Sequence, residues 1–259
     1  AQRDSYQDLQ RVQGAPSYLL LMYLIKNSDA LGIGVDDIVK VCKLLVNFFV
    51  RRNLTDTPPT RDLVRMFMSY IEEIEQNGYA GTVIYDNLRS TLIKSSSSDE
   101  IFEEKLRGPV YDDNSGATRF ILCMMAKRSM TVENEKDLWR KTNSNQYVWS
   151  IEHIFPQGSN IPDEWVDMIA GGDREKAKEY QSLYVHTFGN LTITGYNSTL
   201  SNKAFAEKKE RKDSNGQYIG YRNGLNLNDD VCDKHEWTID IIKARTDRMI
   251  KEIMTMFAL

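Results

Sequence analysis

The chain has 259 residues, of which 41% are hydrophobic and 27% are charged, the composition of an ordinary soluble globular protein. Its length is sufficient for one large domain or two modest ones with a substantial core. The formal net charge of −4 at pH 7 argues against a protein that covers polyanions with its whole surface, although it is compatible with a local basic patch.

Hydropathy and cysteine usage exclude further classes of protein. No apolar run approaches the roughly 20 residues that a membrane-spanning helix needs. Cys42, Cys123 and Cys232 are far apart and form no CxxC motif, which argues against a disulfide framework or a cysteine-based zinc site and favours a reducing cytoplasm. The sequence begins AQRDSYQDLQ, without an initiator Met or a signal-peptide pattern, so we expect an excised fragment whose upstream region is missing.

Helices are predicted through the first hundred residues. The segment VDDIVKVCKLLVNFFVRR has apolar residues at helical spacing, with Asp36 and Asp37 early and Arg51 and Arg52 late, as the helix dipole favours. TDTPPT then interrupts the pattern, and SSSSDE is predicted to be a loop. These features are typical of a helical bundle that packs or positions something, and they include no recognisable catalytic motif.

The pattern changes to α+β after Gly108 and Pro109. A predicted helix, GATRFILCMMAKRS, is followed by the β-prone run QYVWSIEHI, a polar excursion, a second β-prone run GNLTIT and the polar helix TLSNKAFAEKKERK. The C-terminal segment HEWTIDIIKARTDRMIKEIMTMFAL has helical periodicity and is predicted to be a packing helix. We identify no internal repeat in the sequence.

Polar residues are concentrated where these predicted elements join. Glu152 and His153 end the first strand, Asn190 opens the second, and Asn197 and Asn202 flank the start of the polar helix. Adjacent strand residues point to opposite faces, so Glu152 and His153 can serve one site only if the strand ends there and the chain bends. The proline three positions after the histidine makes such a bend expected.

Phosphodiester hydrolysis needs the residue types found at these junctions. A water must lose a proton near neutral pH, which suits an imidazole with an ordinary pKa of about 6.5. Charge that develops on the phosphate must be neutralised, and a divalent cation can do this as a Lewis acid. Glu and Asn offer hard oxygen ligands, which favour Mg²⁺ or Mn²⁺ over zinc. We therefore interpret Glu152 and His153 as one metal ligand and one base, against the alternative of a structural histidine.

The polar helix carries a local excess of basic residues. One interpretation is a solvated face, which most charge runs are. The other is contact with DNA phosphates, which its place directly after the candidate metal site favours. His186 is either a brace for the site or, more simply, a structural residue. The basic side chains of this helix are Lys203, Lys208, Lys209, Arg211 and Lys212.

The segment from SIEHIFPQ to HTFGNLTITGYNSTLSNKAFAEKK resembles the HNH (ββα-metal) nuclease domain in the C-terminal half of GmrSD-type Type IV restriction enzymes. The SspE-like phosphorothioate-dependent defence proteins, which share that architecture, are similar. The resemblance is best over residues 147–212, where EHIxPQ, GNLTxT and NxxLSNKxF occur in the right order.

The resemblance implies a role for each matching residue. His153 is implied as the general base, and Glu152 takes the place of the acidic metal ligand. Asn190 is implied as a catalytic-site residue that supports the loop bearing the base. Asn197 stands where the last His of the signature would be, which gives an H-N-N variant and leaves Asn202 open as an alternative metal ligand.

We predict a mostly helical α+β chain with a ββα-metal core in its C-terminal half. Residues 1–108 are expected to be a helical region that is a remnant of, or a connector to, a missing N-terminal sensing domain. Residues 109–259 are expected to be an HNH nuclease domain with flanking helices. Nucleic-acid contacts are predicted for Lys203, Lys208, Lys209 and Arg211, the first two of which match the family's SNKxFxxK pattern.

The predicted function is a metal-dependent DNA endonuclease, nicking or cleaving, of a bacterial anti-phage restriction system. The expected cofactor is one divalent cation, Mg²⁺ or else Mn²⁺, and no membrane partner is expected. The expected protein partner is an upstream nucleotide-hydrolysing domain or subunit, because the sequence has neither DGQQR nor GxxxxGK[ST]. The alternatives are a catalytically silent binding module on an HNH-like fold and an RNA-cleaving nuclease.

Overall fold

The structure of the chain is a computed structural model that describes residues 2–131 and 133–259, with the backbone alone at positions 2, 198 and 199. The chain divides into two compact units, one made of Ala1–Lys105 with Met254–Leu259 and the other of Leu106–Ile253. The division lies close to the predicted boundary after residue 108. The last six residues, however, belong to the first unit and not to the second, where the sequence placed them.

The first unit is helical in its described residues, as the hydrophobic periodicity predicted. The long helix Val35–Thr55 begins where the Gly34 N–H donates to the Asp37 carboxylate over 3.0 Å. Its buried face brings Phe48 and Phe49 onto Phe67 of a neighbouring helix. The helices in this part of the chain are α1 Gln2–Arg11, α2 Tyr18–Lys26, α3 Ser28–Leu31, α4 Val35–Thr55, α5 Thr60–Asn77, α6 Thr82–Ser95 and α7 Asp99–Arg107.

The second unit combines helices with two short strands. The predicted polar helix is broken into two pieces, and the first predicted strand is shorter than QYVWSIEHI, because its beginning forms a hairpin instead. In the described residues of this unit, 3₁₀ turns cover Phe188–Asn190 and Asn226–Asn228, and one in the first unit covers Ala15–Ser17. The remaining elements are α8 Val110–Arg128, β1 Ser150–His153, α9 Asp163–Ala170, α10 Arg174–Tyr184, β2 Leu191–Thr194, α11 Asn197–Leu200, α12 Phe205–Glu210, α13 Asp229–Cys232 and α14 Ile239–Met256.

The strands β1 and β2 form an antiparallel two-stranded sheet. Ser150 pairs with Thr194, and at the other end His153 pairs with Leu191. Pairing ends at His153, and the next N–H, that of Ile154, donates to the carbonyl of Asn190 over 2.9 Å. The β-ribbon is followed by α11 and α12, so the described chain has the α+β class that the sequence predicted.

An aromatic core supports the chain segment that follows β1. Phe155 packs on Trp165, which contacts Phe205 of α12, and Phe205 stacks on Trp237 with ring centroids 5.5 Å apart. All four side chains are essentially inaccessible to solvent. Their burial fixes the bend after β1 to α9 and α12 through large apolar contact areas.

A close approach at Gly189 brings the turn before β2 against α14. A Cβ on Gly189 would lie 2.0 Å from the carbonyl oxygen of Ile242 and 2.3 Å from Oγ1 of Thr246, so a side chain at this position would collide with backbone. The Gly189 N–H also donates to Oγ1 of Thr246 over 3.0 Å. This contact places Asn190 in the interior, directly behind the end of β1.

No helix among the described residues combines the length and the apolar character needed to cross a bilayer. The short apolar run in α2 is part of a helix of nine residues, which is well below the roughly 20 residues that such a crossing requires.

Candidate active site

An open cleft of about 990 Å³ in the second unit contains the end of β1. Glu152 and His153 both line this cleft, although they are neighbours on a strand, because pairing ends at His153 and the chain turns away. Its other walls are predominantly neutral and polar. They include Ser150, Gln157, Asn197, Ser201 and Asn202, with Thr142, Asn145 and Gln146 from the segment before β1.

The ring of His153 is held from behind by a second histidine. Its Nε2 lies 3.0 Å from Nδ1 of His186, and the edge of its ring meets Tyr111 with centroids 4.7 Å apart. Tyr111 also stacks on His186, with ring centroids 5.3 Å apart, and Nε2 of His186 is 3.5 Å from Oδ1 of Asp112. His186 therefore contacts the candidate base directly, which favours the bracing interpretation of this residue.

Burial keeps the imidazole of His153 neutral. Only 5% of the residue is exposed. Loss of hydration, followed by the charges of His186 and Lys208, lowers the pKa of His153 from 6.5 to about 3. At neutral pH the ring therefore has a free lone pair, which a proton acceptor requires.

Glu152, which also lines the cleft, forms a buried ion pair with Lys208. Its Oε1 accepts from Nζ of Lys208 over 2.7 Å and from the hydroxyl of Tyr221 over 3.4 Å. Burial raises the pKa of the Glu152 carboxyl, and the nearby ammonium opposes this shift. Burial likewise lowers the pKa of Lys208, against the effect of the carboxylate. The short contact between the two groups favours the charged pair.

Lys208 is an interior residue and not a surface one. It is 0% exposed, and its ammonium donates to the carbonyls of His153 and Ile154 over 2.8 and 3.1 Å as well as to Glu152. All three of its protons are thus used inside the protein. The sequence predicted a DNA contact for Lys208. An ammonium that is buried and bonded to three acceptors cannot reach a phosphate, so this prediction was wrong.

The other predicted DNA contacts are spread around α12. Lys203 precedes the helix and lies 3.4 Å from the Glu207 carboxylate, while its own carbonyl accepts from Nε1 of Trp165. Lys209 donates to the carbonyl of Lys234 over 2.8 Å. Arg211 follows the helix, and its Nε is buried without a hydrogen-bond partner among the described residues. The structure does not gather these side chains into one basic face.

Asn190 is fully buried and uses its whole amide in the interior. Oδ1 accepts from the N–H of Phe155 over 2.8 Å and from Nε1 of Trp237 over 3.2 Å. Nδ2 donates to the carbonyls of Phe155 and Val185 over 2.9 and 3.0 Å. Asn190 therefore fastens the loop that follows His153, and its amide is not available to a substrate.

Asn197 and Asn202 line the cleft at different places. Nδ2 of Asn197 donates to the carbonyl of Ile151 over 2.6 Å, which holds its amide against β1 beside Glu152. The amide of Asn202 lies beside Gly158, where it would come within 3.1–3.3 Å of an added Cβ. The geometry thus places Asn197 against the backbone of β1, at the residue before Glu152, and Asn202 across the loop after β1.

The donor set suits a hard, hydrated cation. No group of three or more His, Cys, Asp or Glu side chains that could hold a metal is found among the described residues. What lines the cleft is one carboxylate, Glu152, and amide oxygens such as that of Asn197. Mg²⁺ keeps several waters and is commonly bound by one or two carboxylates plus substrate phosphate. Such oxygen donors are of the kind that Mg²⁺ or Mn²⁺ takes, whereas the thiolate and imidazole set of a structural zinc site is not found among the described residues.

Several residues of the site gave no local signal in the sequence. Tyr221 reaches Glu152 because a Cβ on Gly220 would lie 1.9 Å from the carbonyl oxygen of Lys208, so that only glycine permits this approach. Gln181 of α10 donates to the carbonyls of Pro156 and Gly158 over 2.7 and 3.0 Å, and so fixes the loop after β1. These contacts depend on chain segments that are distant in sequence.

A buried imidazole, a carboxylate and amide side chains that all line one open cleft define a candidate hydrolytic site. A family model for the C-terminal domain of GmrSD restriction endonucleases matches residues 96–252. The match covers more than half of the chain, so the chain belongs to this family, and a restriction-endonuclease domain implies DNA as substrate. No match was found among curated proteins or among solved structures.

Proposed function

We propose that the second unit is an HNH-type, metal-dependent DNA endonuclease in which His153 is the general base. The observation that carries this proposal is the position of His153, whose ring lines the cleft next to Glu152 while its Nε2 is held by His186 at 3.0 Å. A pure binding module needs no neutral imidazole supported in this way. The family match supports the nuclease class and the restriction of invading DNA as its setting.

The contacts behind His153 select the tautomer that a base requires. Two imidazoles with nitrogens 3.0 Å apart share one proton and one lone pair. The carboxylate of Asp112, 3.5 Å from Nε2 of His186, favours a proton on that nitrogen and leaves Nδ1 of His186 as an acceptor. We therefore assign the His153 proton to Nε2, which leaves the lone pair on Nδ1.

His153 would use this lone pair to take a proton from water. The water oxygen forms a bond to phosphorus, and the ester bond to the leaving oxygen breaks. The low pKa of His153, about 3, makes it a reluctant acceptor in the free protein. A phosphodiester in the cleft adds negative charge that favours the imidazolium, so substrate binding would raise that pKa. His186 and Asp112 keep the ring oriented during the transfer.

Glu152 and Asn197 are the residues that would hold a divalent cation. When bound, such a cation supplies Lewis-acid stabilisation of the charge that develops on the phosphate. Lys208 holds Oε1 of Glu152 at 2.7 Å, while Glu152 also lines the cleft. Among the described side chains, Oε2 of Glu152 accepts no hydrogen bond and is the oxygen available for an ion.

Incubation of the chain with supercoiled plasmid tests the proposal. We expect slow nicking with Mg²⁺ or Mn²⁺, none with EDTA, little sequence preference, and no requirement for ATP or GTP. His153→Ala should lose this nicking. The matched control for that variant is His235→Ala, because His235 is exposed and distant in sequence from the site. A parallel reaction with single-stranded RNA distinguishes a DNA endonuclease from the alternative, an RNA-cleaving nuclease. Binding without cleavage under every divalent condition would favour the silent binding module and overturn the proposal.

A further inference from the structure

Two hairpins of the second unit share one backbone design. Residues 140–148, RKTNSNQYV, form the cleft hairpin, and residues 211–219, RKDSNGQYI, form the twin hairpin. In the cleft hairpin the N–H of Thr142 donates to the carbonyl of Gln146 over 2.8 Å, and that of Val148 donates to Arg140 over 2.9 Å. The corresponding bonds of the twin hairpin are both 2.9 Å, from Asp213 to Gln217 and from Ile219 to Arg211.

The two hairpins also present the same side chains at the same positions. Lys141 forms an isolated bridge with Tyr147, and its ammonium lies 5.0 Å from the centre of that ring. Lys212 and Tyr218 repeat this arrangement at 4.6 Å. The two tyrosines are 38% and 40% exposed, so the solvent exposure of this side chain is also the same in the two hairpins. The sequence alone did not reveal this repeat.

The turn itself does not account for the shared residues. The position that needs a left-handed conformation differs, being Asn145 with φ 62° in one hairpin and Gly216 with φ 76° in the other. The Lys–Tyr pair stabilises a hairpin across its strands, but the glutamine before each tyrosine is exposed and the turn does not require it. Exposed Lys, Gln and Tyr side chains at matching positions are therefore what the two hairpins have in common, with the Lys–Tyr pair on one face of each hairpin and the glutamine on the other.

Only one of the two hairpins borders the candidate active site. Thr142, Asn145, Gln146 and Tyr147 line the cleft that contains His153, whereas none of the described lining residues belongs to the twin hairpin. The cleft hairpin is also held in place from α8. The Arg119 guanidinium lies 3.6 Å from the centre of the Tyr147 ring and donates to the carbonyl of Trp149 over 2.8 Å.

We propose that the cleft hairpin is the DNA-contacting wall of the active site, with Lys141 on a backbone phosphate and Gln146 hydrogen-bonded to the same strand. The inference rests on the proposed nuclease function and deepens it, because it names the element that holds the substrate strand beside His153. Gln146 lines the cleft, and the exposed Lys141 ammonium lies at its margin, where it donates to Oδ1 of the lining residue Asn145 over 3.0 Å. Such groups suit the sugar–phosphate backbone, whose recognition depends on charge and carries no base specificity.

The test compares matched substitutions in the two hairpins. All variants carry His153→Ala, so that DNA remains intact, and the binding of a labelled duplex is followed by fluorescence anisotropy at several salt concentrations. We expect Lys141→Ala with Gln146→Ala to raise Kd about five- to tenfold near 0.1 M salt and to reduce the salt slope by about 0.9. Lys212→Ala with Gln217→Ala, the matched control, should leave Kd within about twofold and the slope unchanged.

Each outcome has a defined meaning. A loss confined to the cleft hairpin supports the inference. Equal losses in both hairpins, or no loss in either, overturn it while leaving the nuclease proposal standing, since the His153→Ala parent still binds DNA. If the parent itself binds no DNA at any salt concentration, the proposed function fails and the inference fails with it. Thermal melting of both variants checks that neither pair of substitutions unfolds the protein.

Discussion

The two sides of the end of β1 are built from the same kinds of residue but differ in burial. The inner side consists of Lys208, Tyr221, Asn190 and Trp237, which surround Glu152 and the loop after His153. The cleft side consists of His153, Asn197, Asn202 and the cleft hairpin, which reach the open volume. The inner side fixes geometry and holds Glu152 by one carboxylate oxygen where that residue reaches the cleft, whereas the cleft side presents the other groups proposed to act on a substrate.

Two lysines, Lys203 and Lys208, lie on different sides of this division. Lys203 and Lys208 both match one family pattern, and the sequence predicted phosphate contact for both. Lys203 is partly exposed, whereas Lys208 is buried with three acceptors around its ammonium. Lys208 follows Phe205 by three positions on α12, so both point to the same face of the helix, and Phe205 is a core residue. That spacing was the signal for an inner-side lysine.

The largest effect should follow from removing the base on the cleft side. We expect His153→Ala to reduce the rate of plasmid nicking by about 10²–10⁴-fold, the usual contribution of a positioned general base. DNA affinity should change little, because the substitution removes no positive charge at neutral pH. Single-turnover nicking with DNA-binding measurements checks both statements, and His235→Ala serves as the control. A His153→Ala protein that nicks at the original rate would remove His153 from the mechanism.

The next effect concerns stability on the inner side. Lys208→Met leaves the Glu152 carboxylate buried without its partner, which should lower the free energy of unfolding by about 3–5 kcal/mol. Adding Glu152→Gln removes the unpaired charge and should restore most of that loss. Urea denaturation of the single and double variants measures both quantities. Lys203→Met is the matched control, and an equal cost at both lysines would contradict the inner-side role of Lys208.

The affinity for a divalent ion should depend more on Asn197 than on Asn202, the two asparagines of the cleft side. Asn197 donates a hydrogen bond to the carbonyl of Ile151, the neighbour of Glu152 on β1, whereas the amide of Asn202 lies beside Gly158. We expect Glu152→Ala and Asn197→Ala each to weaken Mn²⁺ binding by at least about tenfold, a loss that even indirect contacts to a metal can cause. Asn202→Ala should have a smaller effect. Calorimetric titration decides this point, and the reverse order would make Asn202 the ligand.

The smallest effect is expected at Lys203. As a partly exposed residue before α12, it can contact a phosphate without specifying a base. Lys203→Ala should reduce the slope of log K against log salt by about 0.9, and equally for all DNA sequences. Lys178→Ala provides the control, since Lys178 is exposed and also pairs with a nearby glutamate, Glu175, over 2.8 Å. An unchanged slope for Lys203→Ala would indicate that Lys203 is a solvated surface residue without a contact to DNA.

Local patterns predicted the elements better than they predicted the site. Helical periodicity identified the helices of the first unit, and the β-prone run QYVWSIEHI located Glu152 and His153 at the end of a strand, because these features depend on neighbouring residues. The bracing of His153 by His186, Tyr111 and Asp112 depends on three separate segments. No local pattern encodes such contacts, and the family resemblance indicated candidate residues without their supports.

The division of the polar helix shows a second limit of sequence reasoning. Its charges and periodicity favoured one continuous basic helix, but the structure has α11, a break with Ser201 at φ 40°, and then α12. Nε1 of Trp165 donates a hydrogen bond to the carbonyl of Lys203, between the two helices, over 2.9 Å. A tryptophan from α9 therefore contacts the chain at the start of α12, a contact that the order of residues in the helix could not reveal.

Chemical rescue of the missing base tests the central claim most directly. His153→Ala shortens the side chain and leaves space where the ring stood, so added imidazole can occupy the position of the lost base. With Mg²⁺ and supercoiled plasmid, we predict that nicking by this variant rises with the concentration of neutral imidazole and not with that of imidazolium, while Glu152→Ala gains nothing. Restoration of His153→Ala by imidazolium alone, or equal stimulation of the Glu152→Ala variant, would contradict the assignment of His153 as the base.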